Sequence, residues 1–132
     1  MKVNILQQPP FRFVDDMLDY VDDRIRCSHK IKADNPMLEG NKLPAEGLIE
    51  CMAQTAAVKS SIDDPKNADN VGYLVSVKNL VLSGQVGVGD TVVMDLILIQ
   101  KLMQFSIFGA RLYKDEMLIA ECELRIFDTV SS

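Results

Sequence analysis

Tryptophan is missing from this chain of 132 residues, and aromatic side chains of all kinds make up only 6% of it. Aliphatic side chains and the seven methionines must therefore fill the interior. Methionine packs into irregular gaps and leaves adaptable walls, which suits either an ordinary core or a tunnel for an acyl chain. Histidine occurs once and cysteine three times, at Cys27, Cys51 and Cys122. An odd number of cysteines without paired spacing, beside one His, makes no zinc set, so they read as reduced core residues. No metal and no other cofactor is expected. Acidic residues outnumber basic ones by 19 to 14, which makes nucleic acid a poor partner, because phosphate binding draws on clustered Lys and Arg. No apolar run approaches the roughly 20 residues that span a bilayer. The stretch Met1 to Phe13 has one lysine but no apolar centre, so it does not read as a secretory signal. A cytoplasmic protein without membrane partners is expected.

What remains is an ordinary globular composition, 48% hydrophobic and 25% charged. The length fits one domain, residues 1–132. Pro9-Pro10 ends a short lead, and residues 11–20 read as extended, stopping at the turn signal Asp22-Asp23. Then Ile25, Cys27, His29 and Ile31 alternate with Arg24, Arg26, Ser28, Lys30 and Lys32, the pattern of a half-buried strand. Asn35-Pro36 interrupts it. A helix of about four turns follows, from Ala45 to about Ser61, with Pro44 suited to its first turn, where a missing N–H is harmless. Leu48, Ile49, Met52, Ala53, Ala56 and Ala57 leave this helix apolar nearly all round, the mark of a buried one. Lys59 to Asn70 reads as its polar exit loop. Strands are expected over Gly72–Leu82, Thr91–Met103, Phe105–Tyr113 and the segment after Lys114-Asp115-Glu116, in which Leu118, Ala120, Cys122, Leu124 and Ile126 face inward. Gly84 to Asp90, whose spacing fits neither a dinucleotide loop nor a P-loop, reads as a hairpin turn.

Two strands, one buried helix and a run of antiparallel strands describe an α+β hotdog fold, in which the sheet wraps the helix to hide its apolar surface. Such a sheet leaves an edge, so pairing with a second subunit is expected.

The segment from Asn35 to Gln54 sharpens this reading. It resembles the active-site region of the β-hydroxyacyl-ACP dehydratases, in which an EPFFQGHFPG loop and an MPG turn lead to a helix reading E-A-M-A-Q. Here Glu50-Cys51-Met52-Ala53-Gln54 matches the helix, Pro44 lies at the matching distance ahead, and Gly87-Val88-Gly89-Asp90-Thr91 is similar to the family's VPGD turn. The family's catalytic His falls at Asn41, and the loop from Asn41 to Pro44 is shorter than the family's. The shortened form NPxLE…LPAxxxIExMAQ looks like the ApeP-like branch, dehydratase-related proteins of aryl-polyene and flexirubin-type pigment clusters that work beside a second hotdog dehydratase.

Dehydrating a 3-hydroxyacyl thioester takes a base for the α-proton, an acid for the leaving hydroxyl and donors for the thioester oxygen, a role the positive end of a helix dipole fits. Glu50 is the candidate for proton transfer: a carboxyl among apolar side chains can exchange a proton near neutral pH, although a structural carboxylate bound to backbone or partner satisfies the same pattern. Gln54, one turn on, either orients Glu50 or packs against it. His29 is a catalytic candidate as the chain's one His, yet a lone His on an apolar strand face is ordinarily a core residue. Asn41 can hydrogen-bond substrate but cannot titrate, and a turn or capping role serves it equally. Pro44 and Gly47 fall at the substrate-binding entrance that the resemblance implies. Arg24, Arg26, Lys30 and Lys32 form a basic stripe that can steer an acidic acyl carrier protein, or else are simply a solvated face. The expected substrate is an acyl thioester of a carrier protein or of CoA, in a homodimer or in a heterodimer with a second hotdog dehydratase. The rivals are an acyl-thioesterase of the same fold, which needs only a helix-borne carboxylate to activate water, and a non-catalytic acyl-binding subunit.

Overall fold

The computed structural model describes residues 10–64 and 72–128. The chain before Pro10, read above for a secretory signal, and most of the polar exit segment after residue 64 lie outside the described residues. Alternating polarity produces β2 (Arg24–Lys30), which is joined to β1 (Asp16–Val21) across Asp22-Asp23, where Asp22 takes the left-handed conformation with φ 54°. The helix α1 spans Ala45–Asp63. After it come β3 (Gly72–Leu82), β4 (Thr91–Leu102), β5 (Phe105–Lys114) and β6 (Met117–Asp128). The turn between β5 and β6 places both Asp115 (φ 49°) and Glu116 (φ 66°) in the left-handed region, the backbone of a tight hairpin whose twist matches its strands.

Among the described residues the strands form one antiparallel sheet in the order β1-β2-β4-β5-β6-β3. The helix lies across its inner face against β2, β4, β5 and β3. From the strands, Ile25, Cys27, Val92, Met94, Leu96, Phe108, Ala110, Leu112, Ala120 and Leu124 meet Leu48, Cys51, Met52, Ala56 and Val58 of the helix in one core. Burying Leu48, Met52 and Val58 contributes about 1.5–3 kcal/mol each, which outweighs the modest helix propensity of a segment containing Gly47, Thr55 and Val58. This is the hotdog architecture, with the small side chains of α1 letting the sheet close on it.

Three local expectations change. The helix runs on to Asp63 because Lys59, expected in a solvated loop, is buried: its ammonium sits 2.8 Å from Asp63, 3.3 Å from the Asp22 carbonyl and 5.0 Å from the Tyr20 ring centroid. In β6, Ile119 takes an inner position and Leu118 is only half-buried, because the register against β5 skips a residue opposite Leu112/Tyr113. The Gly84–Asp90 stretch is no hairpin: it joins β3, which pairs only with β6, to β4, which lies between β2 and β5. It crosses the sheet and packs instead on the segment that enters the helix.

Candidate active site

The helix entrance is built by two loops locked together. Val88 N donates to the Asn41 carbonyl (2.9 Å), Leu43 N to the Val86 carbonyl (3.0 Å), and Lys42 bridges to Gly87. Gly87 has no alternative here, since a Cβ would lie 2.3 Å from the Asn41 backbone oxygen. The glycine turn is in turn closed by Asp90, whose carboxylate accepts from Gly87 N at 2.8 Å; that bond, followed by Lys114, holds the Asp90 carboxyl below its usual range. The helix begins at Ala45 with Pro44 as the cap residue rather than the first helical one, and the first backbone bonds run from Gly47 N and Leu48 N to the Pro44 carbonyl. Pro44 offers no capping side chain, so the first N–H groups face the entrance without a side-chain cap, and Glu46 in the first turn is the one acidic group at the positive end of the dipole. Asn41 is exposed, lies in the turn three residues before the cap and does not cap the helix. Gly47 is buried against Leu43, whose side chain occupies the space a Cβ would need.

One and a half turns into the helix, Glu50 is half-buried and its Oε1 accepts a hydrogen bond from Gln54 Nε2 at 3.0 Å. Gln54 is 2% exposed and fully committed: its Oε1 accepts from Phe13 N at 2.6 Å, and Nε2 also donates to the Phe11 carbonyl at 2.9 Å. It holds Glu50 and clips the chain's leading segment to the helix.

The clipped segment reaches a second titratable group. The Phe13 ring stacks on the His29 imidazole, with centroids 5.6 Å apart. Two residues on, the Asp15 carboxylate lies 3.2 Å from His29 Nδ1 and accepts from Lys30 N at 2.7 Å. His29 is 6% exposed on the inner face of β2, and its Nε2 is buried without a hydrogen-bond partner among the described residues. Desolvation lowers the His29 pKa from 6.5, with Asp15 opposing and Lys32 assisting, so the ring is neutral at physiological pH. Asp15 carried no signal in sequence, because it precedes a strand and looks like any turn carboxylate. Desolvation pushes the cysteine thiols up, Cys27 to about 12 and Cys122 to about 11, with Cys51 also raised, so all three are protonated core groups.

Of the basic stripe, Arg24 is engaged by Asp95 through both carboxylate oxygens (2.8 and 2.5 Å) and Arg26 lies 3.6 Å from Asp19, whereas Lys30 and Lys32 are exposed. No cluster of three or more metal-ligating side chains exists among the described residues, and no described helix is long and apolar enough to cross a membrane.

Against known proteins, the chain is 28% identical over 120 residues to the 3-hydroxyacyl-[acyl-carrier-protein] dehydratase FabZ of Solibacter usitatus, covering 87% of this chain and 74% of that one. It is 31% identical over 80 residues to an uncharacterized thioester dehydrase of Halalkalibacterium halodurans, 57% of this chain and 51% of the relative, so the match spans about half that protein's length. Its fold superposes on the dehydratase heterocomplex ApeI:P from Xenorhabdus doucetiae with a TM-score of 0.85 at 17% identity, covering 96% of this chain and 89% of that one. The family model for the ApeP dehydratase matches residues 2–131, nearly the whole sequence, and the chain accordingly belongs to the ApeP-like dehydratase family.

Proposed function

We propose that the chain is a subunit of a dehydratase that eliminates water from a 3-hydroxyacyl thioester carried by an acyl carrier protein or CoA. The observation that carries this reading is Glu50, a half-buried carboxylate near the leading end of a core helix, with its orientation set by Gln54. A thioester entering past Pro44 brings its carbonyl oxygen to the first N–H groups of α1, which stabilise the enolate as the α-proton leaves. Glu50 is then placed to exchange a proton with the β-hydroxyl as it departs as water. The FabZ and thioester dehydrase relatives support the same substrate class.

The sheet edge supports a subunit arrangement. Among the described residues β3 has only β6 beside it, and Tyr73, Leu74, Val75, Val81 and Leu82 are exposed along it. An apolar strand of this length with an open hydrogen-bonding edge is unstable as a free surface and pairs with another subunit, either a second copy or another hotdog dehydratase. Of the basic stripe, Lys30 and Lys32 have no carboxylate side-chain partner among the described residues and are the two available for steering an acidic carrier.

The test is to purify the chain alone and together with a second hotdog dehydratase from the same organism, and to follow conversion of a 3-hydroxyacyl thioester to the enoyl thioester. Glu50→Gln should lower turnover by about 10²–10⁴, the usual contribution of a positioned acid or base. Release of free thiol, abolished by Glu50→Ala, would identify a thioesterase instead. Turnover unchanged by Glu50→Gln would leave a bracing subunit without chemistry of its own.

A further inference from the structure

Elimination needs two proton-transfer groups, and Asn41 cannot titrate. Among the described residues the inner-face titratable side chains other than Glu50 are few. The three thiols are protonated core groups, and Lys59 is tied to Asp63 at the far end of the helix. That leaves His29, and its setting is unusual for a structural histidine. A core histidine is expected to have both ring nitrogens satisfied, because a buried polar atom without a partner costs about 1–3 kcal/mol. Here one nitrogen is held by Asp15 and the other is bare. An orphaned ring nitrogen within a core is tolerated where a ligand supplies its partner. The ring also belongs to the same physical unit as Glu50: Gln54 bonds both Glu50 and the backbone of Phe13, and Phe13 stacks on the ring.

We propose that His29 is the second proton-transfer group of this site, meeting the acyl thioester through Nε2, and that Asp15 is its positioning residue. This rests on the dehydratase reading above. Because Asp15 accepts, Nδ1 carries the proton and Nε2 presents a lone pair. Nε2 takes the α-proton, the Cα–H electron pair becomes the Cα=Cβ bond, the Cβ–O bond breaks, and protonated Glu50 gives its proton to the departing hydroxyl. Water and the enoyl thioester leave. The imidazolium and the Glu50 carboxylate then restore their starting states by proton exchange through solvent, with no other reactant consumed. Asp15 and Lys32 are the charges that act on the ring, Asp15 favouring its protonation and Lys32 opposing it, while Glu50 and Asp15 both act on Cys51 of the helix.

The chain has a single His, so the long-range nitrogen–proton NMR spectrum of the full-length protein reports this ring alone. The expected wild-type spectrum shows the Nδ1–H tautomer, and adding a non-hydrolysable 3-hydroxyacyl thioether analogue moves the Nε2 resonance. Asp15→Asn should mix the tautomers and lower kcat at least about 10-fold, while His29→Gln should lower it about 10²–10⁴-fold. Glu50→Gln should lower turnover about 10²–10⁴-fold and leave the tautomer unchanged. If the wild-type ring is an Nε2–H tautomer, or if the analogue binds without moving Nε2, the proposal is overturned, and neither measurement depends on a variant folding. If folded His29→Gln retains turnover within about twofold, the proposal is likewise overturned. Should the protein with its partner show no dehydration, the dehydratase reading fails separately, and an Nε2 response to the analogue still assigns the ring to a ligand site.

Discussion

Replacing Gln54 by leucine isolates the clip that joins the leading segment, the helix and Glu50. Leucine is close in volume, so no large cavity term arises, and the cost comes from polar groups left behind. Phe13 N–H is buried and loses its 2.6 Å acceptor, which costs about 1–3 kcal/mol. The bond to half-buried Glu50 is worth about 0.5–1.5 kcal/mol. The Phe11 carbonyl belongs to an exposed residue and turns to water at little cost. The expected loss is about 2–4 kcal/mol, which in urea lowers the midpoint by roughly 1–2 M at unchanged slope and in a thermal scan lowers Tm by about 10 °C. Gln54→Glu adds a sign test. The new carboxylate would keep an acceptor for Phe13 N but sit beside Glu50 in a buried place, so its folded pKa rises above its unfolded value of about 4.3. Its deficit relative to the parent should therefore be small below about pH 4 and grow as pH climbs through the raised pKa. A Gln54→Leu loss below about 0.5 kcal/mol, or a Gln54→Glu deficit that shrinks with rising pH, would refute the clip.

Other consequences follow from the same contacts. Because His29 has a folded pKa depressed below 6.5, the unfolded chain binds its proton first: stability is full above about pH 6.5 and falls on acidification below it, a limb that urea melts of His29→Gln should lack. Tyr20 donates its hydroxyl to Asp63 and has its pKa raised to about 12, chiefly by that bond. Tyr20 therefore stabilises the fold at and below pH 10, a contribution lost between pH 10 and 12, and Asp63→Asn should bring its tyrosinate absorbance titration back toward 10, read as the difference from Tyr20→Phe. Gly87→Ala drives a Cβ to 2.3 Å from the Asn41 carbonyl and should cost about 1–3 kcal/mol in urea melts, with loss of amide-exchange protection at Val88 and Leu43 as the two loops separate.

The sequence by itself determined the elements and the identity of the central carboxylate. Strict alternation marked β2 and β6, an all-round apolar helix with small residues could only be wrapped, and the run from Glu50 to Gln54 carried a local pattern a reader can match. What tertiary structure decided are contacts between residues far apart in the chain, for which local pattern has no signal. Gln54 and Phe13 are 41 positions apart, Lys59 and Asp22 37, and Asp15 and His29 14. Lys59 looked like solvent because lysine is rarely buried; it is buried because the β1–β2 turn brings a carbonyl and the Tyr20 ring over it while Asp63 supplies the counter-charge one turn on. The Gly84–Asp90 stretch has hairpin chemistry, yet sheet order, set by which apolar faces cover the helix, sends β3 beside β6 and makes that stretch a crossover. A periodicity of two says which side of a strand is dry. It does not say which strand lies beside it, because that depends on contacts summed over the whole chain.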